Sequence, residues 1–383
     1  MRARGRIGAT TALAILAVAL CQVANAREIS LPGAEIVAMA FSSGGDSLAV
    51  VFDDAKQTGG LAVFPLDSWK AATRWEGVPP AGGAVVHLGE VRWSPDGREL
   101  ASRSGRELLF ADLHTGGSCH VSLATDPDLA GITEGPRIVV TSYRQDNVAR
   151  SHQVSFYDSN CQLVGSAPFD GVLLVAGRPE MVACSTAGIQ WLDTDGRLIR
   201  KLQLPAEACQ SIGFAGNGEL LCGSTNQRAS VCRDARTGAE AGLWPKTFRG
   251  QLVAVSSGAR RVVLLSHKEI QLPFTDATIQ PSWTWLVWDV SSGKQVGSVS
   301  KTGDLMPRPV HRSPPNAALS PDGKALALGE SAKIELYQIE WREAQRNLIS
   351  RHYRSGEKLC LPYDCRRRKI SLLLRTEPSR DER

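Results

Sequence analysis

One short sequence unit recurs along this chain and constrains the fold more than any other feature. Each unit has an apolar strand, a tight turn with Gly, a second apolar strand, a third strand and then an Asp. The clearest copies of the turn are VRWSPDG at 91–97 and ALSPDG at 318–323. Five further copies can be placed, which makes seven units. Most steps between turns are about 40 residues, the period of propeller blades that contain four strands.

This repeat predicts an all-β fold, a seven-bladed β-propeller of four-stranded antiparallel blades with a short C-terminal extension. Asp-Gly and Asn-Gly pairs favour two-residue hairpin turns, because both central positions can take a positive φ. The first and second strands of the seven units are expected to meet at Gly44-Gly45, Asp96-Gly97, Glu134-Gly135, Gly177-Arg178, Asn217-Gly218, Ser257-Gly258 and Asp322-Gly323.

The second strands are apolar on consecutive residues, as in Leu48–Phe52 and Arg261–Leu265. A strand with water on one face would alternate apolar and polar residues. A strand that is covered on both faces does not need to alternate, and stacked blades cover both faces. The pattern therefore indicates that each blade packs between two neighbours.

The third strands end in an aromatic or apolar residue near an Asp, which suits the turn into a fourth strand, since Asp can accept from nearby backbone N–H groups. These aspartates are Asp67, Asp112, Asp158, Asp193, Asp234 and Asp289. With Trp288–Lys294 (WDVSSGK) and the two Ser-Pro-Asp-Gly turns, the chain resembles the WD-repeat propellers over roughly residues 28–339. It lacks the Gly-His dipeptide of typical repeats, as do the secreted bacterial propellers of the TolB-like kind, which it also resembles.

The ends of the repeat predict how the ring closes. The last unit offers three strands, near 316–320, 324–328 and 333–339, and its fourth strand is missing from the polar sequence that follows. Arg27–Leu31 lies just before the first unit and is expected to supply that strand, which would remove an exposed sheet edge. Lys369–Arg375 (KISLLLR) is the competing candidate.

The first 26 residues have the pattern of a cleaved secretory signal peptide. Three arginines precede an apolar run from Ile7 to Leu20, which is too short to favour a membrane anchor, and Ala24-Asn25-Ala26 offers a cleavage site. We therefore expect a periplasmic or extracellular protein with a propeller over 27–339 and a basic extension over 340–383. The leader takes three of the 44 Lys+Arg, which leaves 41 against 39 Asp+Glu. This near-neutral balance gives no case for nucleic-acid binding.

Eight cysteines remain after the leader, and an even count in an exported chain is typical of disulfides. Cys360 and Cys365 are expected to pair because they are close in a turn-rich stretch. Cys222 and Cys232 lie on adjacent predicted strands, as a cross-strand disulfide or as two buried thiols. No CxxC or zinc-type His pair is present, and no cofactor or metal is expected.

Three long connections are expected on one rim, around neighbouring units six, seven and one. They span 267–282, 300–315 and 70–89, and long loops are often functional. Their mixed aromatic, cationic and His residues suit a protein or peptide contact. The predicted binding residues are Trp75, His267, Lys268, Phe274, Met306, Arg308, His311 and Arg312, and the same loops carry His87 and Asp304. Variable loops without a ligand are the alternative.

The C-terminal extension has 12 Lys+Arg against 7 Asp+Glu and contains a dense cationic cluster, Arg366, Arg367, Arg368 and Lys369. A contact with an acidic partner or an anionic membrane surface is one interpretation, and a solvated cap over the last blade is the other.

These features predict a non-catalytic binding or scaffold protein of the cell envelope. The alternative is a periplasmic propeller enzyme with an axial site, either a hydrolase or a quinone-dependent dehydrogenase. Asp234–Gly238 (DARTG) with Trp244 resembles a single repeat of quinone-dependent dehydrogenases, but GxSxG and HExxH are both absent. A structural subunit of an envelope complex is a third possibility.

Overall fold

The structure is a computed structural model of the chain, and its described residues are all β-strand, turn or irregular. It describes residues 27–54, 59–68, 70–71, 73–78, 89–104, 106–123, 127–133, 138–145, 150–169, 172–175, 181–185, 188–193, 196–202, 211–215, 218–224, 230–241, 251–271, 278–302 and 316–339. These residues form seven antiparallel sheets, which we number as blades I to VII.

Six blades follow one another along the chain after β1 (Arg27–Ser30). Blade I holds β2 (Ala34–Phe41), β3 (Ser47–Asp54), β4 (Gly59–Pro65) and β5 (Thr73–Val78). Blade II holds β6 (Gly89–Trp93), β7 (Glu99–Ser104), β8 (Glu107–Asp112) and β9 (Ser118–Ser122). Blade III holds β10 (Pro127–Ile132), β11 (Ile138–Gln145), β12 (Arg150–Tyr157) and β13 (Leu163–Phe169).

Blade IV holds β14 (Val172–Val175), β15 (Met181–Ser185), β16 (Gly188–Leu192) and β17 (Leu198–Leu202). The described part of blade V has three strands, β18 (Ser211–Ala215), β19 (Leu220–Ser224) and β20 (Ser230–Asp234). Blade VI holds β21 (Gln251–Val255), β22 (Arg261–Gln271), β23 (Thr278–Asp289) and β24 (Lys294–Thr302). Blade VII holds β25 (Asn316–Leu319), β26 (Ala325–Glu330) and β27 (Lys333–Gln338).

Strand β1 completes blade VII by pairing antiparallel with β27, with Ile29 opposite Ile334. The prediction that the N-terminal strand closes the ring is therefore confirmed. The first strand of every blade lies against the first strand of the next, from β2 to β6 and onward until β25 meets β2 again. The seven-bladed ring predicted from the repeat is thus present.

A separate hydrophobic cluster fills each of the seven interfaces between neighbouring blades. Strand β3 shows how one strand serves two interfaces. Leu48, Val50 and Phe52 pack toward blade VII, whereas Ala49 and Val51 pack toward blade II. All five are almost completely buried, which explains why the second strands do not alternate.

The predicted turns at Gly44-Gly45, Asp96-Gly97, Ser257-Gly258 and Asp322-Gly323 lie between paired first and second strands, but the Asp-Gly turns differ in type from the prediction. The other predicted turns, Glu134-Gly135, Gly177-Arg178 and the Asn217 side of Asn217-Gly218, lie outside the described residues. In Ser94–Gly97 the N–H of Gly97 donates to the carbonyl of Ser94 over 3.0 Å, and Gly97 has a φ of +74°. Asp96 does not have a positive φ. The turn is therefore type I followed by a left-handed glycine, and Asp322-Gly323 repeats it. The Ser94 hydroxyl favours this form because it bonds Asp96 Oδ1 at 2.6 Å.

Candidate functional site

The meander of each blade sends its connections to two opposite rims of the ring. The turns from first to second strand and from third to fourth strand share the lower rim. The connections from second to third strand and from blade to blade share the upper rim, where the sequence predicts the binding surface.

On the lower rim, several turn aspartates accept hydrogen bonds inside their own turns. Asp112 accepts the N–H groups of His114 at 2.8 Å and Thr115 at 3.2 Å, and Asp234 accepts those of Arg236 and Thr237. The hydroxyl and N–H of Thr115 and the N–H of His114 lower the pKa of Asp112. The predicted role of these aspartates as turn acceptors is confirmed, and carboxylates held ionised in this way are poor proton donors.

On the upper rim, the two middle strands of blade VI are long. Among the described residues, β21 pairs with β22 as far as Leu265 and β24 pairs with β23 as far as Ser282, and residues 242–250 and 303–315 lie outside them. The two middle strands continue as an extension in which Ile270 lies opposite Ile279 and Gln271 opposite Thr278. We call this extension, 269–271 and 278–281, the ribbon. Its four residues 278–281 correspond to ~13 Å of strand.

The segment predicted as a loop, 267–282, is partly β-strand. His267 and Lys268 lie inside β22, where His267 is the register partner of Trp283 and Lys268 that of Ser282. The sequence on either side of the hairpin tip, HKEIQ at 267–271 and TIQPS at 278–282, lacks the consecutive apolar residues that marked the buried strands. Phe274 lies in the hairpin tip, 272–277, outside the described residues.

The predicted connection 70–89 also contains a strand. Trp75 lies in β5 opposite Leu61, is half-buried, and packs on the cluster that contains Val91 and Leu100. The placement of Trp75 in a rim loop is therefore wrong, because its indole covers the interface between blades I and II.

The third connection starts later than predicted, since β24 runs to Thr302. The remaining predicted residues lie outside the described part of the chain, and so does the predicted Cys360–Cys365 pair. They are His87, Asp304, Met306, Arg308, His311, Arg312, Arg366, Arg367, Arg368 and Lys369.

Beside the base of the ribbon, a charged group joins blades VI and VII. Lys301 Nζ lies 3.0 Å from Glu335 Oε2 and 3.5 Å from Glu330 Oε2. The hydroxyl of Tyr337 donates to the same oxygen of Glu335. Lys301 lies opposite Trp283, and Trp283 lies opposite His267 on its other side, so Lys301 is next to the base of the ribbon. We call Lys301, Glu330, Glu335 and Tyr337 the VI–VII charge cluster.

The VI–VII charge cluster is suited to holding structure rather than to proton transfer. Burial raises the pKa of Glu335, but the hydrogen bonds from Tyr337 and Lys301 outweigh it and hold that pKa below its usual range. Burial and the Glu335 carboxylate raise the pKa of Tyr337, which keeps its phenol protonated. Each member of the cluster is paired with another member by an ion pair or a hydrogen bond. The cluster therefore fixes the end of β24, where the connection to blade VII starts. The sequence analysis missed it because the partners are brought together only by blade stacking.

Blade VII contributes a short turn to the same rim. Ser331 has a φ of +51°, uncommon for a residue with a side chain, and its carbonyl accepts the N–H of Ile36 at 2.8 Å. The carbonyl of Ala332 accepts the N–H of Leu31 at 2.8 Å, and the Asn316 amide donates to the carbonyl of Ile36 at 2.8 Å. Blades VII and I are therefore bonded together where the ring closes, next to the taller hairpin of blade VI.

Two disulfides lie among the described residues. Cys222 and Cys232 are register partners in blade V, so the cross-strand alternative is the correct one. Cys119 of β9 bonds Cys161 in a turn of blade III and so links two blades, a pairing that the sequence analysis did not identify.

Among the described residues, no group of three or more His, Cys, Asp and Glu side chains could hold a metal ion. A search of the same residues finds no helix long and apolar enough to cross a membrane.

Comparison with known proteins gives a fold likeness only. No family model and no curated protein matches the chain. The crystal structure of the β-propeller domain of Cps50 (Swd1) from Myceliophteria thermophila matches with a TM-score of 0.55 and 14% identity. The match covers 83% of this chain and 100% of that domain. The chain thus has the fold of a β-propeller, and its described residues form seven blades.

Proposed function

We propose that this protein is a non-catalytic binding or scaffold protein of the cell envelope, and that it holds a protein or peptide on the upper rim of blades VI, VII and I. The observation that carries the proposal is the ribbon. A two-stranded hairpin is marginal in water by itself, and this one places two isoleucines opposite each other past the last described pairs with β21 and β24. A bound partner would add packing to such a hairpin.

The base of the ribbon supports this role. The VI–VII charge cluster fixes β24, and the short turn of blade VII is bonded to blade I. A rigid base beside a projecting hairpin is a common way to present a binding surface, because loops on a fixed scaffold lose less freedom on binding.

Two observations support the envelope location. The described pairs that close the ring, from Arg27 opposite Leu336 to Ser30 opposite Lys333, all follow the predicted cleavage site, so removal of the leader would keep them. The two disulfides are of the kind that persists in oxidising compartments. Cell fractionation with N-terminal sequencing tests this part. We expect an envelope or secreted protein that starts at Arg27, and a cytosolic protein that keeps Met1 would contradict it.

The rim is tested by shortening the ribbon. A variant in which an Asn-Gly turn replaces 269–281, and so joins the register partners Lys268 and Ser282, should fold with the same thermal midpoint but should fail to retain the proteins that the wild-type protein captures from its host envelope. The matched control is Gly44→Ala, in a lower-rim turn where the added methyl meets only Asp46 at 3.9 Å. Recovery of the same proteins by the shortened variant would refute the upper rim of blade VI as the binding site.

A further inference from the structure

A second surface lies on the outer strands of blades III and IV. Four large hydrophobic residues are at least half exposed among the described residues, and all four are there. They are Leu163 (58%), Val164 (51%), Leu198 (58%) and Ile199 (50%). Single exposed apolar residues are ordinary, but paired ones at equivalent places in two neighbouring blades are not. We call these four residues the outer patch.

The other blades show what normally occupies these positions. Leu163 lies opposite Tyr157, and Leu198 lies opposite Leu192, each the residue before a turn aspartate. The corresponding partners in blades II, V and VI are Ser118, Glu240 and Gln295. Blades III and IV are thus apolar where three other blades are polar, so the fold itself does not require the leucines.

The two halves of the outer patch lie on the outer strands of neighbouring blades. The turn before β17 lies on the outer strand of blade III, because a Cβ on Gly196 would be 3.8 Å from the Cβ of Ala167 and 3.7 Å from Cζ of Phe156. Leu198 follows this turn by two residues, and Ala167 belongs to the same strand as Leu163.

Cations flank the apolar pair of β17 on both sides. Arg197 precedes Leu198, and Arg200 and Lys201 follow Ile199, with Arg197 and Lys201 exposed. Arg200 lies over the Trp191 ring, 3.8 Å from its centroid. The nearby Asp193 accepts the N–H of Arg197 at 2.8 Å within its turn. Asp158 accepts two N–H groups in the same way, and Asp195 lies outside the described residues. The charges on β17 itself are therefore all positive.

This charge pattern selects the occupant. Antiparallel pairing of β17 with a second copy about Ile199 would place Arg197 opposite Lys201, which is repulsive. The apolar C-terminal segment 369–375 begins with Lys and ends with Arg, so it is repelled in the same way. A membrane surface would favour exposed Trp, Tyr or Phe, and the outer patch is aliphatic.

The mode of contact follows from the strand geometry. The register shifts by one residue at Val164 and at Ile199, which makes both of them bulge residues. Bulges interrupt the regular ladder that an added strand would need. We propose that the outer patch binds, through side-chain contacts, an acidic segment of a partner protein whose apolar residues lie close to Asp or Glu. This surface is separate from the upper rim, so it does not depend on the ribbon.

The first test is photo-cross-linking in the native host, with benzoylphenylalanine replacing Leu198 in the full chain. Gln295, the equivalent position of blade VI, is the matched control. We expect an adduct at position 198 but not at 295, on a polypeptide segment that carries apolar residues beside Asp or Glu. An adduct to lipid, an adduct to this same protein, or equal yields at both positions would each overturn the proposal.

The second test uses the mapped segment as a synthetic peptide. Its affinity for the wild-type protein should be at least tenfold higher than for Leu163→Gln/Leu198→Gln, which copies the polar residues of the other blades, and it should fall with added salt. Both side chains are exposed, so an unchanged thermal midpoint verifies folding. Equal affinities would refute the outer patch. The ribbon-shortened variant should cross-link at position 198 as the wild-type protein does. This result distinguishes failure of the outer-patch proposal from failure of the proposal that the upper rim binds a partner.

Discussion

Lys301 Nζ lies 3.0 Å from Glu335 Oε2 across the boundary between blades VI and VII. The pair joins the outer strand of one blade to the third strand of the next, and both side chains are about four-fifths buried, with 18% and 26% exposed. Removing one partner of an ion pair shielded to this extent costs more than removing one partner of an exposed pair, because a partly buried charge is left unpaired. The pair holds the end of β24 beside the base of the ribbon, so it stabilises the fold next to the proposed binding surface.

Glu335→Gln should lower the free energy of unfolding by about 1–2 kcal/mol at pH 7, since it removes charge-assisted hydrogen bonds. Because the folded-state pKa of Glu335 lies below its usual range, this contribution is present above about pH 4.3 and is lost as the pH falls through the folded pKa. Urea unfolding at pH 7, 5 and 3 measures it. The difference between wild type and variant should persist to pH 5 and shrink toward pH 3.

The control for this experiment is Glu28→Gln. Its partner Lys333 is also at 3.0 Å, but both side chains are about half exposed. We expect stability indistinguishable from wild type, and a loss equal to that of Glu335→Gln would contradict the importance assigned to burial.

The disulfides should differ in their contribution to stability. Replacing Cys119 and Cys161 by Ala opens a loop of 42 residues, and replacing Cys222 and Cys232 opens one of 10. Loop entropy predicts losses of about 4 and about 3 kcal/mol. Denaturant unfolding of the two double variants measures both values, after peptide mapping has verified the pairing. Mapping that joins Cys119 or Cys161 to another cysteine would refute the link between blades II and III.

Gly60→Ala should be destabilising by about 1–3 kcal/mol, because an added methyl would overlap the ring of Phe52, which is 2% exposed. Gly44→Ala meets only Asp46 at 3.9 Å and should have little effect. Thermal unfolding compares the two variants. A Gly60→Ala protein as stable as Gly44→Ala would show that Phe52 is not packed as described.

Local patterns in the sequence were sufficient for the blades. The consecutive apolar residues of Leu48–Phe52 arise because a strand packed on both faces has no polar side, and the turn aspartates act within four residues of their own position. Ring closure by β1 was also predictable, since the seventh unit lacked a strand and the chain before the first unit offered one.

The features that were missed depend on contacts between units. Cys119 and Cys161 come together because the outer strand of blade II lies against a turn of blade III, and nothing near either cysteine indicates this. The ribbon was read as a loop because its sequence lacks the consecutive apolar residues of the buried strands. Trp75 was read as a loop residue because β5 is short and its neighbours are polar, yet its indole packs between blades.

The closed ring brings blades VI, VII and I together, so it is the claim on which the proposed upper-rim surface depends. Its most direct test is oxidation of the Ser30→Cys/Lys333→Cys variant, at register partners 303 positions apart in sequence. We predict a soluble monomer in which mass spectrometry finds an intrachain disulfide between residues 30 and 333. No such bond should form in Ser371→Cys/Lys333→Cys. A bond from 333 to 371, or only bonds between chains, would contradict ring closure by the N-terminal strand.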